Sequence, residues 1–316
     1  MHEYILICMK PEFCRESGLE SCRQAGFVDG LKLNIIVQCA LVIATALVFL
    51  ATGTTLTADR GFPEFFLLLY GLLFIAAYIV RSRVLTLACQ GLIFYISAGF
   101  CAGFAALAAL RTEAPLADTR LDGWDHHLGI HTEHIFTFFA PFDAFNSVLG
   151  EAYRLTVPCM MVTIIVLALR QDAIGLYRMC FIFSVSAFTC ALFNLFFPAL
   201  DTVLYHHLSS DLMKHFPAGA GVDYGPPFEA WHSRRLSAAS PSALSGVVAF
   251  PSLHVVMALT ELAFLKINAV FNSVVFICVL LVLLSTILIG GHYVSDIIGG
   301  AFLFYGVSLL SERIVR

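Results

Sequence analysis

The sequence predicts an all-α protein, a polytopic bundle of transmembrane helices. Hydrophobic residues make up 59% of the 316-residue chain and charged residues only 13%. The resulting mean hydropathy of +0.86 leaves too little polar side chain to coat a water-soluble globule. The apolar residues are also gathered into runs approaching the roughly 20 residues that a spanning helix needs.

Taken in chain order, residues 1–32 are a polar tail, with no apolar run long enough for a cleavable signal peptide. Runs at 33–56, 65–80 and 84–110 predict a block of three spans over 33–110. Residues 111–154 mix Leu116, Trp124 and Phe136 with Asp118, Asp122, Asp125 and four histidines. That stretch reads as short amphipathic helices on the membrane surface, with the aspartates on their polar face. Runs at 155–169 and 179–199 follow, and then residues 200–250, rich in Gly, Pro and Ser, predict irregular chain serving as a lid or wall. The last runs are 252–266, 271–290 and 294–311. Eight spans is the count this supports best. Six to eight is the range, because 65–80, 155–169 and 252–266 are short and Glu261 interrupts the last of these.

Lys and Arg placement orients the bundle. If the N-terminus is cytoplasmic, eleven of the 18 cationic side chains fall on the inner side, in very short loops, and seven on the outer side, in long ones. Both termini are then cytoplasmic, in a plasma or bacterial inner membrane. Of the ten cysteines, Cys8, Cys14 and Cys22 fall in the tail and the rest in spans, so they read as reduced packing residues rather than a disulfide framework. Their spacing suits no zinc site. No metal, cofactor or nucleic-acid partner is expected, and oligomeric state is not legible.

One constellation carries chemistry. His292 and Asp296 stand four apart, on one helix face. A carboxylate so placed can hold one imidazole nitrogen while the other meets substrate. Gly290 and Gly291 precede the pair and permit a tight turn and close substrate approach. Pro251 ahead of Ser252-Leu253-His254 reads as a helix start, where free N–H groups and the helix dipole favour a bound phosphate. His292 follows His254 by 38 positions, two crossings of about 28 Å each, so a helical hairpin returns both histidines to one membrane face. With the orientation above, that face is extracytoplasmic.

AFPSLHV (249–255) and GGHYVSDIIGG (290–300) resemble the second and third signature motifs of the type-2 phosphatidic acid phosphatase superfamily. The Leu in PSLH and the Gly-x-His-Tyr-x-x-Asp form look more like its inositol phosphorylceramide synthase and sphingomyelin synthase branch. Phe197-Pro198-Ala199 and the Leu116–Gly129 stretch are similar to bacterial members of that branch. The resemblance spans roughly residues 115–310, within a catalytic membrane domain over 111–316.

The resemblance implies a lipid phosphoester substrate and an alcohol or water acceptor. His292 would attack phosphorus to give a phosphohistidine, Asp296 would fix its tautomer, and His254 would act first as acid and then as base. Ser252, Gly291, Tyr293 and nearby N–H groups would hold phosphate or substrate. The phosphatase pattern has an Arg six positions before the third-motif histidine, where this chain has Thr286, and no Lys-x6-Arg-Pro precedes PSLH. Arg234 and Arg235 are the expected replacements, because charge developing on transferred phosphate needs cations. The departures favour a headgroup phosphotransferase over a phosphomonoester phosphatase. The reading from another class is a transporter or non-catalytic scaffold on the same fold. Glu261 reads either as a functional group two turns below His254 or as the partner of Lys266.

Overall fold

Eight apolar helices, long and short, form the body of the computed structural model, which describes residues 29–57, 62–79, 82–244 and 250–315. Most of the predicted tail, with Cys8, Cys14 and Cys22, lies outside the described residues. The helices are α1 (Gly30–Thr52), α2 (Phe62–Tyr78), α3 (Arg83–Leu110), α4 (Asp118–His127), α5 (Thr132–Phe139), α6 (Asp143–Leu169), α7 (Ala173–Phe193), α8 (Thr202–Tyr205), α9 (Ser210–Met213), α10 (Gly225–His232), α11 (Leu253–Phe264), α12 (Ala269–Leu288) and α13 (Val294–Ile314). Two parallel two-residue strands, Thr55–Leu56 and Ala238–Ala239, pair with each other.

Six of these helices, α1, α3, α6, α7, α12 and α13, are long and apolar enough to cross a membrane. The runs at 65–80 and 252–266 form shorter apolar helices, so six full-length candidates stand where eight runs suggested eight spans. The run at 155–169 is, by contrast, only the second half of a 27-residue helix. Residues 143–154 belong to α6 and not to the surface loop, because their polar groups have partners within the protein. Asn146, fully buried, donates to the carbonyls of Phe139 and His215. The span expected at 179–199 begins at Ala173 instead, where Asp172 accepts from the Gly175 N–H as an N-cap.

α3 and α7 form the centre, with α1, α6, α11 and α13 packed around them. Polar residues lock α1 to this centre. Asn34 donates to the carbonyls of Gly30 and Tyr177, and Gln38 to Phe94 O and Ser184 Oγ, the kind of inter-helix bond that replaces hydrophobic attraction where lipid is the solvent. Large apolar side chains face outward around the bundle, Leu50 on α1, Leu67 on α2 and Phe302 on α13 among them, as lipid contact requires. Gly30 at the start of α1 lies against Val315 just past α13, so these two ends share one face of the bundle.

The 200–250 stretch is a wall with short helices. Phe228 and Trp231 of α10 are buried against Leu107 and Leu110 of α3. The seven described cysteines are all free thiols.

Candidate active site

α13 begins at Val294, directly after the Gly290–Tyr293 turn. Asp296 in its first turn reaches back, so that Oδ2 lies 3.0 Å from His292 Nδ1 and accepts from the Tyr293 N–H at 3.0 Å. Both His292 and Asp296 are buried. With Nδ1 engaged, Nε2 is the ring nitrogen left for chemistry, and His292 lines the main cavity.

α11 begins at Leu253 with Ser252 as N-cap, two residues after the proline expected to start it. Ser252 makes no side-chain cap, its N–H donates to the Asp296 carbonyl at 3.1 Å, and its buried Oγ has no protein partner. That bond ties the start of α11 to the first turn of α13. Glycine makes the crossing possible: a Cβ on Gly300 would stand 2.6 Å from Ser252 O, and one on Gly299 2.9 Å from the Phe250 ring. His254 faces the same cavity as His292. Tyr153 of α6 stacks on the His254 ring, with centroids 3.9 Å apart and planes at 21°.

The cavity measures about 870 Å³, toward the upper end of the range for ligand pockets, roughly 300–1,000 Å³. His254, His292, Gly290, Tyr153 and Arg154 line it together with the 217–224 turn. From there it runs between α2, α3, α6 and α7 along Phe66, Ile96, Phe100, Val157, Met161 and Phe183. One chamber therefore joins a polar end to an apolar slot among the spans.

The other expected substrate contacts stand elsewhere. Ser252, Gly291 and Tyr293 do not line the cavity. Gly291, at φ +68°, instead lets three backbone segments meet, since its added Cβ would lie 3.1 Å from Asp201 Cβ and 3.2 Å from Gly221 Cα. Thr202 N–H donates to Gly291 O, and Gly221 N–H to Ile289 O. Tyr293 is fully buried and its hydroxyl donates to Asp118. Arg234 and Arg235 are held outside the cavity. Arg234 donates to the Arg111 carbonyl and lies 3.9 Å from Glu113, while Arg235 pairs with Glu229 at 2.9 Å. Thr286 is buried, with its hydroxyl bonded to the Val282 carbonyl. Glu261 is buried near Tyr95 and Cys159, Oε1 has no protein partner, and no ion pair joins it to Lys266 among the described residues.

The aspartates of α4 correct the sequence reading most sharply. Asp118 and Asp125 form not a solvated face but a buried support. Asp118 accepts from the N–H groups of Leu200 and Asp201 and from Tyr293 Oη, and Asp125 accepts from the N–H groups of Val294 and Ser295 at 2.7 and 2.8 Å. Asp125 thus caps α13 from a distance of 169 residues in sequence. Asp122 lies 2.8 Å from His206 Nε2. The signal available in sequence was the i, i+4, i+7 spacing of these three aspartates, which puts them on one helix face. Burial raises the Asp118 carboxyl above its ordinary range and lifts Asp201 to about 7. Burial also raises the Tyr224 phenol.

A family model described as PAP2 superfamily matches residues 119–310, more than half of the chain. No curated protein and no solved structure gives a match.

Proposed function

The chain belongs to the PAP2 superfamily, and from that membership we propose that it is a membrane-embedded lipid phosphotransferase working through a phosphohistidine on His292. Lipid phosphatase or phosphotransferase chemistry is the activity the superfamily suggests. The observation that carries the finer reading is the single cavity that holds both histidines at its polar end and continues as an apolar slot among the spans.

In the first half-reaction His292 Nε2 attacks phosphorus, so that the P–N bond forms as the bond to the leaving oxygen breaks. His254, protonated, delivers its proton to that oxygen. Asp296 keeps the Nδ1 proton in place and balances the positive charge gained by the ring. In the second half-reaction His254 removes the proton of the acceptor hydroxyl, whose oxygen attacks phosphorus as the P–N bond breaks. Tyr153, stacked on His254, is a positioning residue that fixes the ring plane. A lipid alcohol suits the slot better than water as acceptor, because the walls beyond the histidines are apolar. The Lys and Arg asymmetry of the loops supports an extracytoplasmic site in a plasma or bacterial inner membrane.

The test is turnover by the purified chain with labelled phosphatidic acid, phosphatidylinositol and ceramide, with and without a polyol acceptor. Transfer of the labelled headgroup to an alcohol is expected, whereas release of inorganic phosphate alone would make it a phosphatase. His292→Ala is expected to abolish turnover, and His254→Ala to accumulate acid-labile label on His292. Full turnover by His292→Ala would remove the mechanism.

A further inference from the structure

An anionic phosphoester entering the cavity would meet two imidazoles, one of them already bonded to Asp296, and walls that are otherwise largely apolar. An anion withdrawn from water into such a place needs a cation or a dense set of donors. Arg154 is the one Lys or Arg among the described residues lining the cavity. Asp223 also lines it, so apart from the imidazoles Arg154 is the one cationic side chain among the described lining residues to set against that carboxylate.

We propose that Arg154 of α6 is the cation that holds the phosphate of the lipid substrate, with Glu151 keeping it in place when the cavity is empty. The assignment rests on the phosphoester reading above. Three features argue for it. Arg154 directly follows Tyr153, which stacks on His254, and both side chains of α6 line the cavity that holds the two histidines. Its partner is Glu151, one turn away, and the two side chains are 68% and 60% exposed. An ion pair so exposed contributes little, and an arriving phosphate, which a guanidinium can grip through two parallel N–H bonds, competes with it readily. The other nearby guanidinium groups are committed: Arg111 donates to the carbonyls of Thr52 and Leu236, Arg234 to that of Arg111, and Arg235 pairs with Glu229. Glu151 then has an effect opposite in sign to that of Arg154, since removing its charge releases the guanidinium to the substrate.

Binding tests this without dependence on turnover. The full chain carrying His292→Ala, in lipid nanodiscs, is titrated with fluorescent phosphatidic acid and, in parallel, with diacylglycerol bearing the same chains. Adding Arg154→Gln is expected to weaken phosphatidic acid binding at least tenfold and flatten its dependence on salt, while diacylglycerol binding stays unchanged. Arg154→Lys should recover part of the loss, and Glu151→Gln should tighten phosphatidic acid binding two- to fivefold. Phosphatidic acid affinity and salt dependence that survive Arg154→Gln, or equal losses for both lipids, would overturn the assignment. The phosphohistidine reading fails separately, on retained turnover in the His292→Ala chain.

Discussion

Gly290→Ala isolates the geometry of the candidate site from its charges. An added Cβ at residue 290 would lie 2.7 Å from the Thr286 carbonyl oxygen, 2.9 Å from His292 Cδ2 and 2.9 Å from Tyr153 Cε2. All three separations are too short for carbon, so something must move. The Thr286 carbonyl is the least free, because it accepts from the His292 N–H at 3.2 Å, and shifting it drags the backbone of the histidine. Relief through the side chains displaces either His292 or the tyrosine that stacks on His254. Overpacking of this kind costs about 1–3 kcal/mol of stability, which a bundle of this size can absorb. Misplacing a reacting group by about 1 Å costs on the order of 10²-fold in rate. The expected outcome is a chain that folds and inserts, with kcat lowered about 100-fold on whichever phospholipid the wild type turns over. Gly306→Ala on α13 is the control, since its added methyl meets nothing within 4 Å and Ala is favoured over Gly in a helix by up to about 1 kcal/mol. Turnover and thermal unfolding of both variants read the result. A Gly290→Ala enzyme within twofold of wild-type kcat would show that the turn relaxes without moving His292, and would refute the argument that this glycine exists to bring Tyr153 and the two histidines together.

Asp125→Ala should destabilise the chain by about 2–4 kcal/mol, because it removes a cap and leaves the N–H groups of Val294 and Ser295 without their acceptor. A lowered midpoint in thermal unfolding checks this, and an unchanged midpoint would deny Asp125 its capping role. Asp201, with its carboxyl lifted to about 7 by burial, binds its proton more tightly in the folded chain than in the unfolded one. Its contribution is therefore fully present below the ordinary carboxylate range, near pH 4, and is lost as pH rises through about 7. Asp201→Asn should flatten the fall in melting temperature over that window, and an identical pH profile in the variant would contradict the burial argument.

Local features of this protein were legible in sequence and distant ones were not. The spacing of four made the His292–Asp296 pair legible and the bond between them is present, but His292 stands in the turn before α13 rather than on its face, and Asp296 reaches back to it from the first helical turn. Span positions followed from hydropathy, but the ends of α6 and α7 did not. Asn146, Glu151 and Arg154 fall in the 111–154 stretch read as surface helices, yet they belong to α6, where Asn146 is buried by partners on other segments and Arg154 lines a cavity. Asp118 and Asp125 looked like a solvated face because their bonding partners lie 82 to 175 positions away, beyond the reach of any window. Arg234 and Arg235 stand about twenty residues before His254 in sequence. Yet folding carries their loop to the carbonyl of Arg111 and to Glu229 and brings α6 to the histidines instead.

Two kinds of surroundings meet at the histidines, and the difference bears on how the site can work. On the His292 side, hydrogen bonds between distant segments fix the backbone. Asp125 caps α13, Asp118 holds Tyr293, Ser252 N–H meets the Asp296 carbonyl, and Gly291 and Gly221 let the backbone close without side chains between. A nucleophile aimed at a phosphorus atom gains from such rigidity, because reorganisation is removed from the barrier. On the α6 side Arg154 and Glu151 are exposed and weakly bonded to each other, and the wall continues as an apolar slot. Under the proposed function, the chains of a lipid phosphoester lie along that wall. Substitutions along it should therefore change which lipid binds, whereas substitutions beneath His292 should change whether any lipid reacts.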